Sequence, residues 1–221
     1  MSLVLAVRDD QDLVMASDGR VLGEDLSVLS DRSPKTLALN AKLCVGLTGS
    51  TDMIRQVLTP LGVNCRGSHP IDLLSLCQDG ACPVDVDYGD ARDEVTHVLR
   101  WMTHRTRRRT HRREIPTVIL AGEDRKHPAL CEWYPPAQTM ETLGSAGYSE
   151  AVAGSPPAEG TREWFAFRRI VNGERSTQRA EERLAHAIRF CARMFGAAGP
   201  ISRTVFLRRL STGFELHRMD S

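Results

Sequence analysis

Residues 2–18, SLVLAVRDDQDLVMASD, decide the architecture of this chain. Residues 3–8 (LVLAVR) and 12–17 (DLVMAS) are apolar runs of strand length joined by the acidic turn Asp9-Asp10-Gln11. Two such runs across a short polar turn read as a β-hairpin. The first strand begins at the third residue, so residue 2 is expected at a structured sheet edge. The first twenty residues lack the basic start and longer apolar segment of a secretory signal.

Beyond the hairpin, 19–34 is a polar connection ending in Ser33-Pro34. Residues 36–39 and 43–47 form a second hairpin about Asn40-Ala41. In Thr48-Gly49-Ser50-Thr51-Asp52, Ser50 or Thr51 is a candidate cap for a helix with Met53, Ile54, Val57, Leu58 and Leu61 on one face. An irregular insertion is expected around 62–89. From Asp90 a second helix sets Val95, Val98, Leu99 and Met102 at helical spacing and runs into the basic segment 104–113, which Pro116 ends. TVILAGE, ALCEWY and TMETL then read as three strands, and 154–174 as a loop or second insertion. An amphipathic helix over 176–195 carries Leu184, Ile188 and Cys191 on its apolar side, and strands at 203–208 and 212–217 close the chain. Clustered hairpins separated by paired helices argue for α+β layers instead of alternating βαβ units. The order suits one domain over 1–221, a four-layer αββα sandwich of two antiparallel sheets between helices.

Composition narrows the function classes. Hydrophobic content of 41% with 26% charged residues is that of an ordinary globular chain, and a formal net charge of +1 names no partner. No apolar run is long enough for a membrane helix, so no membrane association is expected. Of the six cysteines, Cys44, Cys131 and Cys191 sit in apolar segments as buried thiols do. Cys65, Cys77 and Cys82 lack the paired spacing of a zinc site. Neither metal nor cofactor is expected, and the expected location is the cytoplasm with reduced thiols.

The chemistry starts at the N-terminus. Methionine aminopeptidases remove Met1 when the next residue is small, and the new N-terminal serine then holds a hydroxyl and an α-amine on one residue. Such an amine has a reference pKa of about 7.7–8.0, close to the optimum for taking the hydroxyl proton near neutrality. Alone, Met-Ser is merely a common start. Asp18 at the end of the second strand (VMASDGR), Lys35 before the third (SPKTLALN) and Gly49 after the fourth (VGLTGSTD) change that. Separately they read as a turn residue, a solvated strand end and a helix-entry glycine.

Together with Ser2, these positions resemble the proteasome β-type subunits, members of the N-terminal-nucleophile hydrolases, and among them most the stand-alone bacterial homologues. In that family a threonine opens the first strand, an Asp-x-Arg motif closes the second, a lysine opens the third, and a glycine turn follows the fourth. Ser2, Asp18-Gly19-Arg20, Lys35 and Thr48-Gly49-Ser50 stand at those places in order. The resemblance implies Ser2 as nucleophile and its amine as base. Lys35, held charged by Asp18, would lower the pKa of hydroxyl and amine, and the Gly49 N–H would face the oxyanion. Leu143-Gly144-Ser145-Ala146-Gly147, read as following a strand and opening a helix, resembles the family's Gly-Ser-Gly segment and implies Ser145 beside the Ser2 amine. The implied activity is peptide-bond hydrolysis in a self-compartmentalised single or stacked homo-oligomeric ring, with polypeptides as substrates.

The chain departs from that pattern in three ways. Serine replaces threonine and lacks the methyl group that restricts the rotamer. Only Met1 precedes the nucleophile. After the last helix, Met194 stands where the family has an aspartate and Ala197 where it has a serine, which removes two groups that brace the amine. The alternative is therefore a ring-forming scaffold with weak or no peptidase activity.

Arg105, Arg107, Arg108, Arg109, Arg112 and Arg113 pose a separate question. The run suits a basic helix end or a ring interface against acids such as Asp85, Asp87, Asp90, Asp93 and Glu94. Without interleaved aromatics it does not favour nucleic acid. Trp133, Trp164 and Phe165 read as core or interface packing, and His97, His104 and His111 as surface residues.

Overall fold

The computed structural model describes residues 2–9, 12–22, 27–30, 33, 35–63, 65, 84–107, 115–144, 148–173, 178–195, 201–210 and 213–219. Strands β1 (Leu3–Asp9) and β2 (Asp12–Asp18) pair antiparallel. They form the middle of a five-stranded antiparallel sheet in the order β10-β1-β2-β11-β12, with β10 at Ser149–Gly154, β11 at Ile201–Leu210 and β12 at Gly213–Met219. A second sheet runs β5-β6-β7-β8-β9, with β5 at Thr36–Asn40, β6 at Leu43–Thr48, β7 at Thr117–Asp124, β8 at His127–Tyr134 and β9 at Thr139–Thr142. Among the described residues four helices complete a mixed α+β fold: α1 (Thr51–Leu58), α2 (Tyr88–Arg107), α3 (Arg162–Asn172) and α4 (Ala180–Phe195).

The apolar runs of β1 and β2 are continuous because both faces of each strand are buried. Side chains alternate across a strand, and the two sets enter different cores. Leu3, Leu5, Val7, Val14 and Ala16 pack in one cluster with Phe167 and Val171 of α3 and Leu184, Ala187, Ile188 and Cys191 of α4. Val4, Ala6, Leu13 and Met15 pack instead with Cys44, Ile119, Ala121 and Leu130 of the second sheet. Residues such as Leu39, Val45, Leu47, Val118, Leu120 and Cys131 meet α1 and α2 in a third cluster. Each fully buried Leu or Ile in these clusters contributes about 1.5–3 kcal/mol through surface removed from water. Gly46 marks the closest approach between the sheets: a Cβ there would stand 2.6 Å from Val4 Cγ1 and 2.9 Å from Met15 Sδ.

Several sequence expectations change. The stretch 154–174 is not a loop throughout, since it contains α3, whose first turn Thr161 caps by accepting from Trp164 N–H at 3.1 Å. Gly173 ends α3 in the left-handed conformation at φ 68°. Helix α2 starts at Tyr88, inside the expected irregular stretch 62–89, of which 66–83 lie outside the described residues. The connection 19–34 holds two short paired strands, β3 (Val21–Leu22) and β4 (Val28–Ser30). Ser50 occupies the N-cap of α1, but its side chain makes no capping bond. Trp133 is buried as expected, whereas Phe165 is exposed. Helical periodicity places α3 but does not say whether a third element covers Phe165.

Candidate active site

The antiparallel register sets Val4 opposite Ser17, which brings Asp18 level with the start of β1. The Asp18 carboxylate is fully buried there and is shared. Its Oδ1 accepts the backbone N–H of Leu3 at 2.8 Å and the Lys35 ammonium at 2.7 Å. Its Oδ2 accepts the N–H of Arg20 at 3.0 Å. Lys35 Nζ also donates to the Asp18 carbonyl at 3.1 Å. Asp18 ends a strand of the first sheet and Lys35 immediately precedes β5 of the second, so this ion pair ties the two sheets together at the end where the chain begins.

Burying two charges is costly unless they are paired and their remaining bonding capacity is met. The arrangement answers that demand with one ion pair and two backbone donors on the same carboxylate. Ser17 adds a further support. Its buried Oγ accepts the backbone N–H of Lys35 at 3.1 Å, which fixes the root of the lysine side chain as well as its tip. Across the second hairpin, Leu47 N–H donates to the Lys35 carbonyl at 2.9 Å.

Ser2 is half-buried at this junction, with its peptide held on both sides. The N–H of Leu3 goes to Asp18, and the Ser2 carbonyl accepts the N–H of Ser155 at 3.0 Å. Gly154 permits that second contact. It lies at φ 104°, and a Cβ on it would overlap the Ser2 carbonyl oxygen. Gly49 is exposed between β6 and α1, two residues beyond Leu47 and so at the same sheet end as Lys35. Its φ of 135° and the approach of Pro116, 3.1 Å from where a Cβ would be, restrict the position to glycine.

Asp18 thus joins Leu3, the residue after Ser2, to Lys35 by hydrogen bonds, and Gly49 lies at the same end of the second sheet. Ser145 lies outside the described residues, but the reading of its surroundings requires correction. The segment 143–147 falls between β9 and β10, so it leads into a strand and not a helix. A Gly-Ser step that bonds to Ser2 is Gly154-Ser155, at the end of β10 and ahead of α3. Gly154 and Ser155 were missed because β10 was not recognised, and Ser17, on the recognised second strand, because its partner Lys35 N–H comes from the other sheet. A Gly-Ser pair directly after the apolar alternation of 149–154 was the available signal. Met194 is exposed in the last turn of α4, and Ala197 lies outside the described residues.

The thiols are placed for packing. Burial, and then the neighbouring Asp18 carboxylate, push Cys191 up to about 12. Burial raises Cys44 to about 12 and Cys131 to about 11. Thiols held so far above neutrality are poor nucleophiles. Cys65 is partly exposed, while Cys77 and Cys82 lie outside the described residues. A cavity of about 460 Å³ lies at the opposite end of the second sheet, around the β5–β6 turn and the start of α2. Asn40 spans it with bonds to the carbonyls of Val84 and Val86, so the residues there already have structural partners. Of the arginine run, Arg105 is exposed and sits over the Trp101 ring, whereas Arg108, Arg109, Arg112 and Arg113 lie outside the described residues. No helix among the described residues is long and apolar enough to cross a membrane.

No known protein-family model matches this sequence, and no curated protein matches it at a significant level.

Proposed function

We propose that this chain is an N-terminal-nucleophile peptidase of proteasome β-type architecture, with its two sheets stacked between helices as four αββα layers. The layering is supported by the three clusters, one between the sheets and one beneath each helix pair. The observation that carries the function is the shared Asp18 oxygen, which binds the peptide of the first strand residue and the Lys35 ammonium together. A lysine charge held beside the first residue is costly to bury for fold alone, and it is what an N-terminal serine needs to act near neutrality.

In this reading Met1 is removed and Ser2 Oγ attacks the carbonyl carbon of a substrate peptide. The hydroxyl proton passes, through a water, to the Ser2 amine. Lys35 favours the alkoxide character of Oγ, and the Gly49 N–H receives the developing oxyanion. Collapse breaks the C–N bond, the protonated amine returns its proton to the leaving nitrogen, and an ester on Ser2 remains. A water activated by the same amine hydrolyses that ester and restores the serine. Ser155 N–H and Asp18 keep the Ser2 peptide at fixed orientation throughout. A closed homo-oligomeric ring would restrict substrates to unfolded polypeptide.

A scaffold with weak or no turnover is the second reading, favoured by exposed Met194 at the position where the family has an aspartate. Intact mass of the purified chain and its reaction with a peptidyl β-lactone separate the two. The peptidase reading expects mass lacking Met1 and one covalent adduct, located at Ser2 and absent from Ser2→Ala. Retention of Met1 acylates the amine and rules out the free-amine mechanism. A processed chain that takes no adduct is the scaffold.

A further inference from the structure

The exposed face of α2 is organised by charge along its length. At about 100° per residue, Asp90, Asp93, Glu94, His97, Arg100, Trp101, His104 and Arg105 fall within an arc on the order of 140°, and all of them are exposed. The acids occupy the N-terminal half and the bases the C-terminal half. Compensation of the helix dipole accounts for Asp90 in the first turn, but that effect fades beyond the end turns and does not reach Glu94 or Arg100.

Spacing on this face is unfavourable for an isolated helix. Asp90 and Glu94 are four residues apart. Like charges at that spacing repel, whereas a solvated helix gains by alternating them. None of the three acids has a Lys or Arg three or four residues away; the neighbouring Arg92 pairs with Asp93 at 3.2 Å. Trp101 stands at 46% exposure in the middle of the basic half, with Arg105 stacked 5.0 Å from its ring centroid. Tryptophan and arginine on a fixed helix are the residue types that anchor interfaces.

We propose that this face docks antiparallel against α2 of a second copy of the chain, across a two-fold axis at His97. Self-complementarity selects that partner. A dyad at residue 97 reverses position along the helix and keeps each residue on the same lateral edge, so a residue meets those on its own edge at the mirrored height. Arg100 then meets the second copy's Asp93 on one edge, Trp101 lies along Glu94 on the other, His104 and Asp90 share a layer near the seam, and His97 meets its own counterpart. Each of these contacts except His97 with its counterpart, which lies on the axis, occurs twice by symmetry, as an isologous interface requires. The stripe from Asp90 to Arg105 is about 22 Å long at 1.5 Å per residue. This pairing is independent of the peptidase reading, because it uses no residue near Ser2.

Sedimentation mass tests it through charge reversal. Arg100→Glu and Asp93→Arg are each expected to weaken association at least about tenfold, halving the assembly mass at a concentration where the parent is paired. The double variant, which restores the complementarity with signs exchanged, is expected to recover the parent mass. A His97→Cys variant is expected to form a disulfide between copies under mild oxidation, which a Cys at exposed His186 does not. Unchanged mass in either folded single variant overturns the proposal. So does failure of the folded double variant to recover, or of His97→Cys to cross-link above the parent's background.

Discussion

Replacing Asp18 by alanine is expected to cost this protein more than replacing Lys35 by methionine, although the two residues form one ion pair. Asp18→Ala takes the carboxylate away from the buried Lys35 ammonium, which keeps the residue 18 carbonyl 3.1 Å away. Stranding one partner of a buried pair costs about 3–5 kcal/mol. The same change removes the acceptor from Leu3 N–H and Arg20 N–H, at about 1–3 kcal/mol for each donor left buried, less for Arg20 because it is only half-buried. The sum is about 5–8 kcal/mol, comparable with the whole stability of an ordinary domain. Lys35→Met removes a charge and fills its volume, while Asp18 keeps the Leu3 and Arg20 backbone donors. That variant is expected to lose about 2–3 kcal/mol, the worth of a charge-assisted bond. Urea unfolding at fixed protein concentration, followed by Trp fluorescence, gives both values from the midpoints at constant m. If Asp18→Ala is the milder of the two, or loses less than about 1 kcal/mol, the shared-carboxylate account is wrong.

Gly154→Ala should force Ser2 to move, because φ 104° is strained for alanine and the new Cβ overlaps the Ser2 carbonyl. We expect destabilisation of about 1–3 kcal/mol with loss of the β-lactone adduct; full labelling at parental stability would refute the clamp. Glu132 tests burial electrostatics away from the site. Its carboxyl is raised by burial, opposed by the Val152 backbone N–H and reinforced by Glu141, its cross-strand neighbour on β9. A folded-state value above the unfolded one, about 4.3, means that ionisation penalises the fold as pH rises through that range. Glu132→Gln should therefore raise the melting temperature at pH 7 and show no such gain below pH 4. A difference independent of pH would remove the electrostatic explanation.

The sequence by itself determined the N-terminal hairpin, the second hairpin and the positions of α1, α2 and α4, because local periodicity records burial on one or two faces. Ser2, Asp18 and Lys35 were legible as candidates for the same reason: each sits at a strand end, and strand ends can be counted along the chain. That Gly154-Ser155 faces Ser2 was not legible. Nothing in one dimension places that step beside Ser2, and only the pairing of Leu3 with Gly154 across β1 and β10 reveals its place. Nor could sequence show that one Asp18 oxygen serves both Leu3 and Lys35, since those partners are 15 and 17 residues away and lie in different sheets. Local preference acts over a few residues, whereas a buried charge is satisfied by whatever the packed sheets bring within hydrogen-bond reach. Tertiary structure therefore decided the environment of Ser2, and the sequence had determined only that a serine would stand at that edge.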